Sequence, residues 1–145
     1  MIDLTVLPFT IAFDTMNGNE VISTQVKGIL RLEVEGVVIE FRQNHSVMSS
    51  RGVEESSTGV QVVQLPIESL DSVELKESLI RPARFILSAR TLAAFAEIPG
   101  SGDVQRTLTI ARADRERARL IETAIKSRIL HDRLERGLDH LSGVL

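Results

Sequence analysis

The chain has no cysteine, no tryptophan and no tyrosine. Without cysteine there is no disulfide framework, no thiol nucleophile and no thiolate metal ligand, which fits a reducing compartment. Five phenylalanines make up the whole aromatic content, 3% of 145 residues. That is poor material for stacking bases or sugars. A basic surplus is missing too: 17 Lys and Arg stand against 20 Asp and Glu, a formal net charge of -3. Nucleic-acid binding is therefore not expected. No apolar run approaches the length of a membrane span. The N-terminal MIDLTVLPFTIAF lacks a positive leading region and is interrupted by Asp3, Pro8 and Asp14, so it does not read as a secretory signal. The expected location is cytoplasmic.

What is present is alternation. With 43% hydrophobic and 26% charged residues, the composition suits one soluble domain with one core. Leu7, Phe9, Ile11 and Phe13 alternate with Pro8, Thr10 and Ala12, an extended start in which Pro8 suggests an edge. Asn17-Gly18-Asn19 is a turn. Leu30, Leu32 and Val34 alternate up to Gly36, and Ile39 and Phe41 alternate after it. If Glu35-Gly36 is a two-residue loop, Val34 faces Val37, Leu32 faces Ile39 and Leu30 faces Phe41. The polar stretch from Asn44 to Thr58 reads as a long, mobile loop or a wide hairpin connection. Further strands are expected around Val63 and Leu65, Val73 and Leu75, Phe85 and Leu87, and Leu108 and Ile110. A helical turn fits Ile67 to Leu70. Thr91 to Ile98 suits either a helical turn or a short strand, and Pro99 to Asp103 is an open turn.

The one long helix begins near Asp114, a good N-cap residue. Ala118, Ile121, Ala124, Ile125 and Ile129 recur at three- and four-residue steps and form a buried stripe. The stripe then changes side: Leu130, Leu134, Leu138, Leu141 and Leu145 lie mostly opposite Ile121, Ile125 and Ile129. One straight helix cannot bury both stripes against one small domain. Gly137 and Gly143 each weaken helix in this segment by roughly 1 kcal/mol. The tail is thus either frayed or folded back, or it is a short seam for self-association. The division is a domain at 1–130 and a helical tail at 131–145. The predicted core is Leu30, Leu32, Ile39, Phe41, Val63, Leu65, Val73, Leu75, Phe85, Leu87, Leu108, Ile110, Ile121 and Ile125. The fold class is mainly β, a bent sandwich or barrel of about seven strands closed by one C-terminal helix.

No constellation for catalysis stands out. Glu33, Glu35, Glu40, Glu68 and Glu74 alternate with core residues, as the solvent face of a strand does. His45, His131 and His140 lack convergent metal ligands and read as solvated. Gly100 and Gly102 are not followed by Lys-Ser or Lys-Thr, so they do not make a phosphate loop. Arg106, Arg112, Arg115 and Arg119 gather at the last strand and the helix start. Arg112, Arg115, Arg119 and Lys126 share one helix face. It is either a solvated mixed-charge surface or a site for phosphates, acidic proteins or anionic lipid heads. Arg81, Arg84 and Arg90 in the preceding hairpin are further candidates for such a patch.

Four segments carry a family resemblance: GILRLEVEGVVIEFR (Gly28 to Arg42), VVQLPIESLDSVELKESL (Val62 to Leu79), ARFILSARTLAAFAEIPGS (Ala83 to Ser101) and LTIARADRERARLIETAI (Leu108 to Ile125). With PFTIAF they resemble a bacterial pleckstrin-homology-like (PH-like) domain of unknown function over roughly residues 8 to 130. The resemblance implies a seven-stranded bent β-sandwich capped by its helix, and a non-catalytic binding module without cofactor. Phosphoinositide binding by basic residues at the first hairpin does not carry over, because the tip Val34-Glu35-Gly36-Val37 is tight and acidic. The expected function is an interaction module that self-associates or binds another protein through its helix and tail. The alternative is an anion-binding adaptor using the arginine face, with a membrane surface among its possible targets.

Overall fold

A computed structural model describes residues 5–100 and 103–144, with the side chains of 138–144 excepted. Eight strands precede one helix: β1 Val6–Asn17, β2 Glu20–Leu32, β3 Gly36–Ser49, β4 Gly52–Ser57, β5 Gln61–Pro66, β6 Leu70–Lys76, β7 Ala83–Ala89, β8 Gln105–Ile110 and α1 Arg115–Val144. Short 3-10 turns lie at Ile67–Ser69, Leu92–Phe95 and Arg112–Asp114. The first matches the predicted helical turn, and the second resolves the ambiguous Thr91 to Ile98 segment.

The strands form a single bent antiparallel sheet in the order β4-β3-β2-β1-β8-β7-β6. β5 also pairs with β3. β4 lies opposite Asn44–Ser49, and β5 lies opposite Gly36–Phe41 on the same strand. The two segments therefore act as one interrupted edge strand, and the sheet has seven strand positions. Thr58 bridges the interruption. Its N–H donates to the Gln43 carbonyl at 2.9 Å, and its Oγ1 accepts from the Gln43 N–H at 3.0 Å. The sheet does not close into a barrel. β1 touches β8 at one pair, Thr10 and Thr109. Pro8 lies outside that pair, so its missing N–H interrupts no ladder on the β8 side.

Two local expectations change. Leu32 pairs with Val37, Leu30 with Ile39 and Gly28 with Phe41. The loop therefore has four residues, closed by the Glu33 N–H on the Gly36 carbonyl at 2.9 Å. The register differs by two residues from the predicted one. Because side chains repeat every two residues, the apolar face survives the shift; only Val34 leaves it, to become 91% exposed. The second change is at Asn44 to Thr58, where β3 and β4 form a tight strand hairpin rather than a long mobile loop or a wide hairpin connection. Its β4 arm is exposed throughout, so no apolar alternation marks it in sequence.

One apolar cluster fills the bend. The predicted core residues are buried, except that Leu32 and Leu75 are partly buried against it. Phe9 faces Gly28, which faces Phe41. A Cβ on Gly28 would stand 2.8 Å from the Phe9 ring and 2.3 Å from the Glu40 carbonyl oxygen. The absent side chain makes room for the ring.

The helix crosses the open side of the sheet. Ala118, Ile121, Ile125 and Ile129 face the core. Polar ties hold both flanks. Toward β6, the free edge, Glu122 accepts from the Leu75 N–H at 2.5 Å, and Arg133 donates to the Asp71 carbonyl at 2.6 Å. Toward the other side, Arg117 donates to the Val6 carbonyl at 3.1 Å, and Arg128 donates to the Glu33 carbonyl. An edge strand has unpaired N–H and C=O groups, and here Glu122 and Arg133 satisfy two of them on β6. α1 continues without interruption through 130 and 131, and through Gly137. The proposed boundary at 130 therefore coincides with no break in the helix, and Arg133 still grips the sheet.

Candidate interaction surfaces

Arg112, Arg115 and Arg119 converge, but on the chain itself. They meet the loop between β6 and β7. Arg112 donates to the Leu79 carbonyl at 2.8 Å. Arg115 donates to the Ser78 carbonyl and, at 2.8 Å, to the Arg81 carbonyl. Arg119 makes a forked pair with the Glu77 carboxylate at 2.7 to 3.1 Å. This hydrogen bonding holds Glu77 below the usual carboxylate range, and Arg119 is correspondingly raised. Lys126 does not join them; its Nζ lies 3.3 Å from Glu122, one turn back on the helix. Arg81, Arg84 and Arg90 are exposed.

Arg106 is not part of that surface. It is only 6% exposed. Its guanidinium donates to the carbonyls of Ile98 at 2.9 Å, Phe95 at 3.1 Å, Asp103 at 3.0 Å and Gln105 at 2.8 Å. It also lies over the Phe95 ring, 5.6 Å from the centroid. Burial pushes its pKa down, partly offset by Asp103. Sequence alone placed it with its neighbours at the strand-to-helix junction. Strand parity offered the missing signal: Arg106, Leu108 and Ile110 share the buried face.

The leucine tail divides at the limit of description. Leu130 is 60% exposed and Leu134 is 58% exposed. The side chains of Leu138 and Leu141, and the whole of Leu145, lie outside the described residues. On other faces of the same helix, His131 pairs with Glu135 and Arg136 with Asp132, each at 3.0 Å.

The outer halves of β1 to β4 carry a polar trough that sequence analysis did not single out. Thr24 is buried, and its Oγ1 lies 3.1 Å from His45 Nδ1. Phe13, Thr24, His45 and Ser56 form one cross-strand row on the core face. Asp14, Ser23, Gln25, Asn44 and Ser57 line the trough beside them. No repeat or motif marks the row, because its members come from four strands. Glu40, one of the outward carboxylates, pairs with Arg31 at 2.7 Å. Among the described residues, no three or more His, Asp or Glu side chains cluster as metal ligands, and no helix is long and apolar enough to cross a membrane.

The fold and these surfaces define an open, bent antiparallel sheet with a terminal helix laid across it. No family model, curated protein or solved structure matches the chain.

Proposed function

We propose that this chain is a non-catalytic, PH-like interaction module that self-associates through the part of α1 beyond Ile129. Seven strand positions in one bent sheet, followed by a helix over its open side, support the PH-like reading. The observation that carries self-association is the change of helix face. Ile125 and Ile129 are buried, whereas Leu130 and Leu134 stand more than half exposed on the same continuous helix. Leucines spaced four apart on a helix pack against the same face of a neighbouring helix. A second copy brings an identical stripe, so a two-fold contact would cover both.

The alternative anion-binding adaptor, built on Arg112, Arg115, Arg119 and Lys126, has less support. Three of those cations already bind loop carbonyls or Glu77, and Lys126 pairs with Glu122.

Light scattering tests the proposal. The full chain is expected to be a dimer or larger. Leu130→Ser combined with Leu134→Ser is expected to be a folded monomer, since neither side chain is part of the core. A full chain that stays monomeric as its concentration is raised would remove the reading.

A further inference from the structure

The loop between β6 and β7 raises two adjacent apolar side chains into solvent. Leu79 is 91% exposed and Ile80 is 88% exposed. A slack loop would turn such residues against the body, because apolar surface is driven out of water. This loop is held instead. Arg112 and Arg115 bind the carbonyls of Leu79, Ser78 and Arg81. Ser78 Oγ accepts from the N–H groups of Ile80 at 3.2 Å and Arg81 at 3.3 Å. Much of the tip's backbone polarity is thereby satisfied within the protein. That is the condition for placing backbone in a medium that offers no hydrogen bonds.

The surroundings are basic. Lys76, Arg81 and Arg84 are exposed around the tip, with Arg112, Arg115 and Arg119 bound to the loop behind them. The loop's own carboxylate, Glu77, is neutralised by Arg119. The helix side adds two carboxylates, Glu116 and Asp114, the latter 4.0 Å from Arg117. In a chain whose net charge is -3, this is a local concentration of positive charge.

We propose that the Leu79–Ile80 tip docks the protein on an anionic bilayer surface. The two side chains enter the boundary between headgroups and acyl chains, and the flanking cations meet the lipid charges. A bilayer suits this feature better than a protein partner. The tip is two residues, whereas a stable protein interface takes about 800 Å² from each side. A fluid interface accepts an isolated apolar tip without a shaped pocket. The arginines act as clamps that keep the tip presented. This inference uses a surface other than the self-association stripe and does not depend on it.

The test is cosedimentation of the full chain with vesicles of phosphatidylcholine alone and of phosphatidylcholine with phosphatidylserine, at low and at physiological salt. Binding is expected with the anionic vesicles only, and to weaken with salt. Leu79→Ser with Ile80→Ser is expected to lower binding by about tenfold or more, at unchanged thermal stability. Arg81→Gln with Arg84→Gln is expected to lower it by about tenfold and to flatten the salt dependence. Because the chain has no tryptophan, Ile80→Trp places a single indole at the tip. Its emission is expected to shift to the blue with anionic vesicles and to be quenched by brominated acyl chains. Four outcomes would overturn the proposal: no binding at low salt, binding indifferent to the double serine variant, an indole that stays in water, or a double serine variant whose altered property is its solution mass. Equal binding to soluble polyglutamate, with the same loss in the serine variant, would assign the tip to an acidic protein and also overturn it.

Discussion

A guanidinium surrounded by carbonyl oxygens is hard to replace, and Arg106 has four of them within 3.1 Å. Its planar fork reaches the carbonyls of Phe95 and Ile98 and those of Asp103 and Gln105 at once, which the single ammonium of a lysine cannot do. Gly100 makes the approach possible. It sits at φ +147°, and a Cβ there would stand 2.8 Å from Arg106 Cδ. Arg106→Met keeps much of the volume but removes the buried donor to the Ile98 carbonyl and leaves the Phe95 carbonyl with the Ile98 N–H alone. It is expected to cost about 3 kcal/mol, on the order of 10 °C in Tm for a domain of this size. Arg119→Met, at an exposed pair, is expected to shift Tm much less. Equal shifts for the two variants in thermal unfolding would show that the buried network contributes nothing special.

At the scale of elements, the β6–β7 loop and the start of α1 form one unit, joined by Arg112, Arg115 and Arg119. Only the Glu77–Arg119 link titrates in an accessible range. The folded carboxyl is held below its ordinary value, with Arg119 foremost and Arg115 adding to it. Its contribution is therefore complete above the unfolded carboxyl's pKa, and is lost as pH falls through the lower folded one. Amide resonances of Ser78 to Arg81 are expected to move together on acidification, with a midpoint below that of an ordinary glutamate. In Glu77→Gln that transition is expected to vanish. A midpoint above the ordinary value would contradict the pairing. This unit also marks where the sequence stops being legible. Strands and the helix are periodic, so Leu30, Ile39, Phe85, Leu108 and Ile121 announce their burial through spacing alone. The arginines share a helix face by the same logic. What they touch depends on carbonyls more than thirty residues earlier, for which no local pattern exists. The hairpin of β3 and β4 was hidden for the opposite reason: Gly52 to Ser57 is exposed on both faces and has no alternation to read. The four-residue loop at Glu33 to Gly36 was misplaced because a two-residue shift leaves the apolar pattern intact.

At the scale of the whole molecule, the helix has two roles that separate along its length. Up to Ile129 it closes the sheet, and Arg128 and Arg133 anchor it to Glu33 and Asp71. From Leu134 to Gly137 no described side chain makes a hydrogen bond or ion pair to the sheet, and the backbone remains helical to Val144. A helical end without a packing partner is marginal in water, since most helix stability in proteins comes from tertiary contact. Self-association would supply that contact, and mass action then links stability to concentration. For the full chain, Tm is expected to rise as protein concentration is raised, because dissociation accompanies unfolding. A chain ending at Arg133 retains the anchors to Glu33 and Asp71 and the buried stripe, so its Tm is expected to stay constant. Differential scanning calorimetry across a hundredfold concentration range distinguishes the cases. If the full chain's Tm is also constant, unfolding is not coupled to dissociation, and the exposed leucines do not hold copies together. If the shortened chain shows the same concentration dependence, association does not need Leu134 or the residues after it, and the role assigned to the leucine stripe is lost.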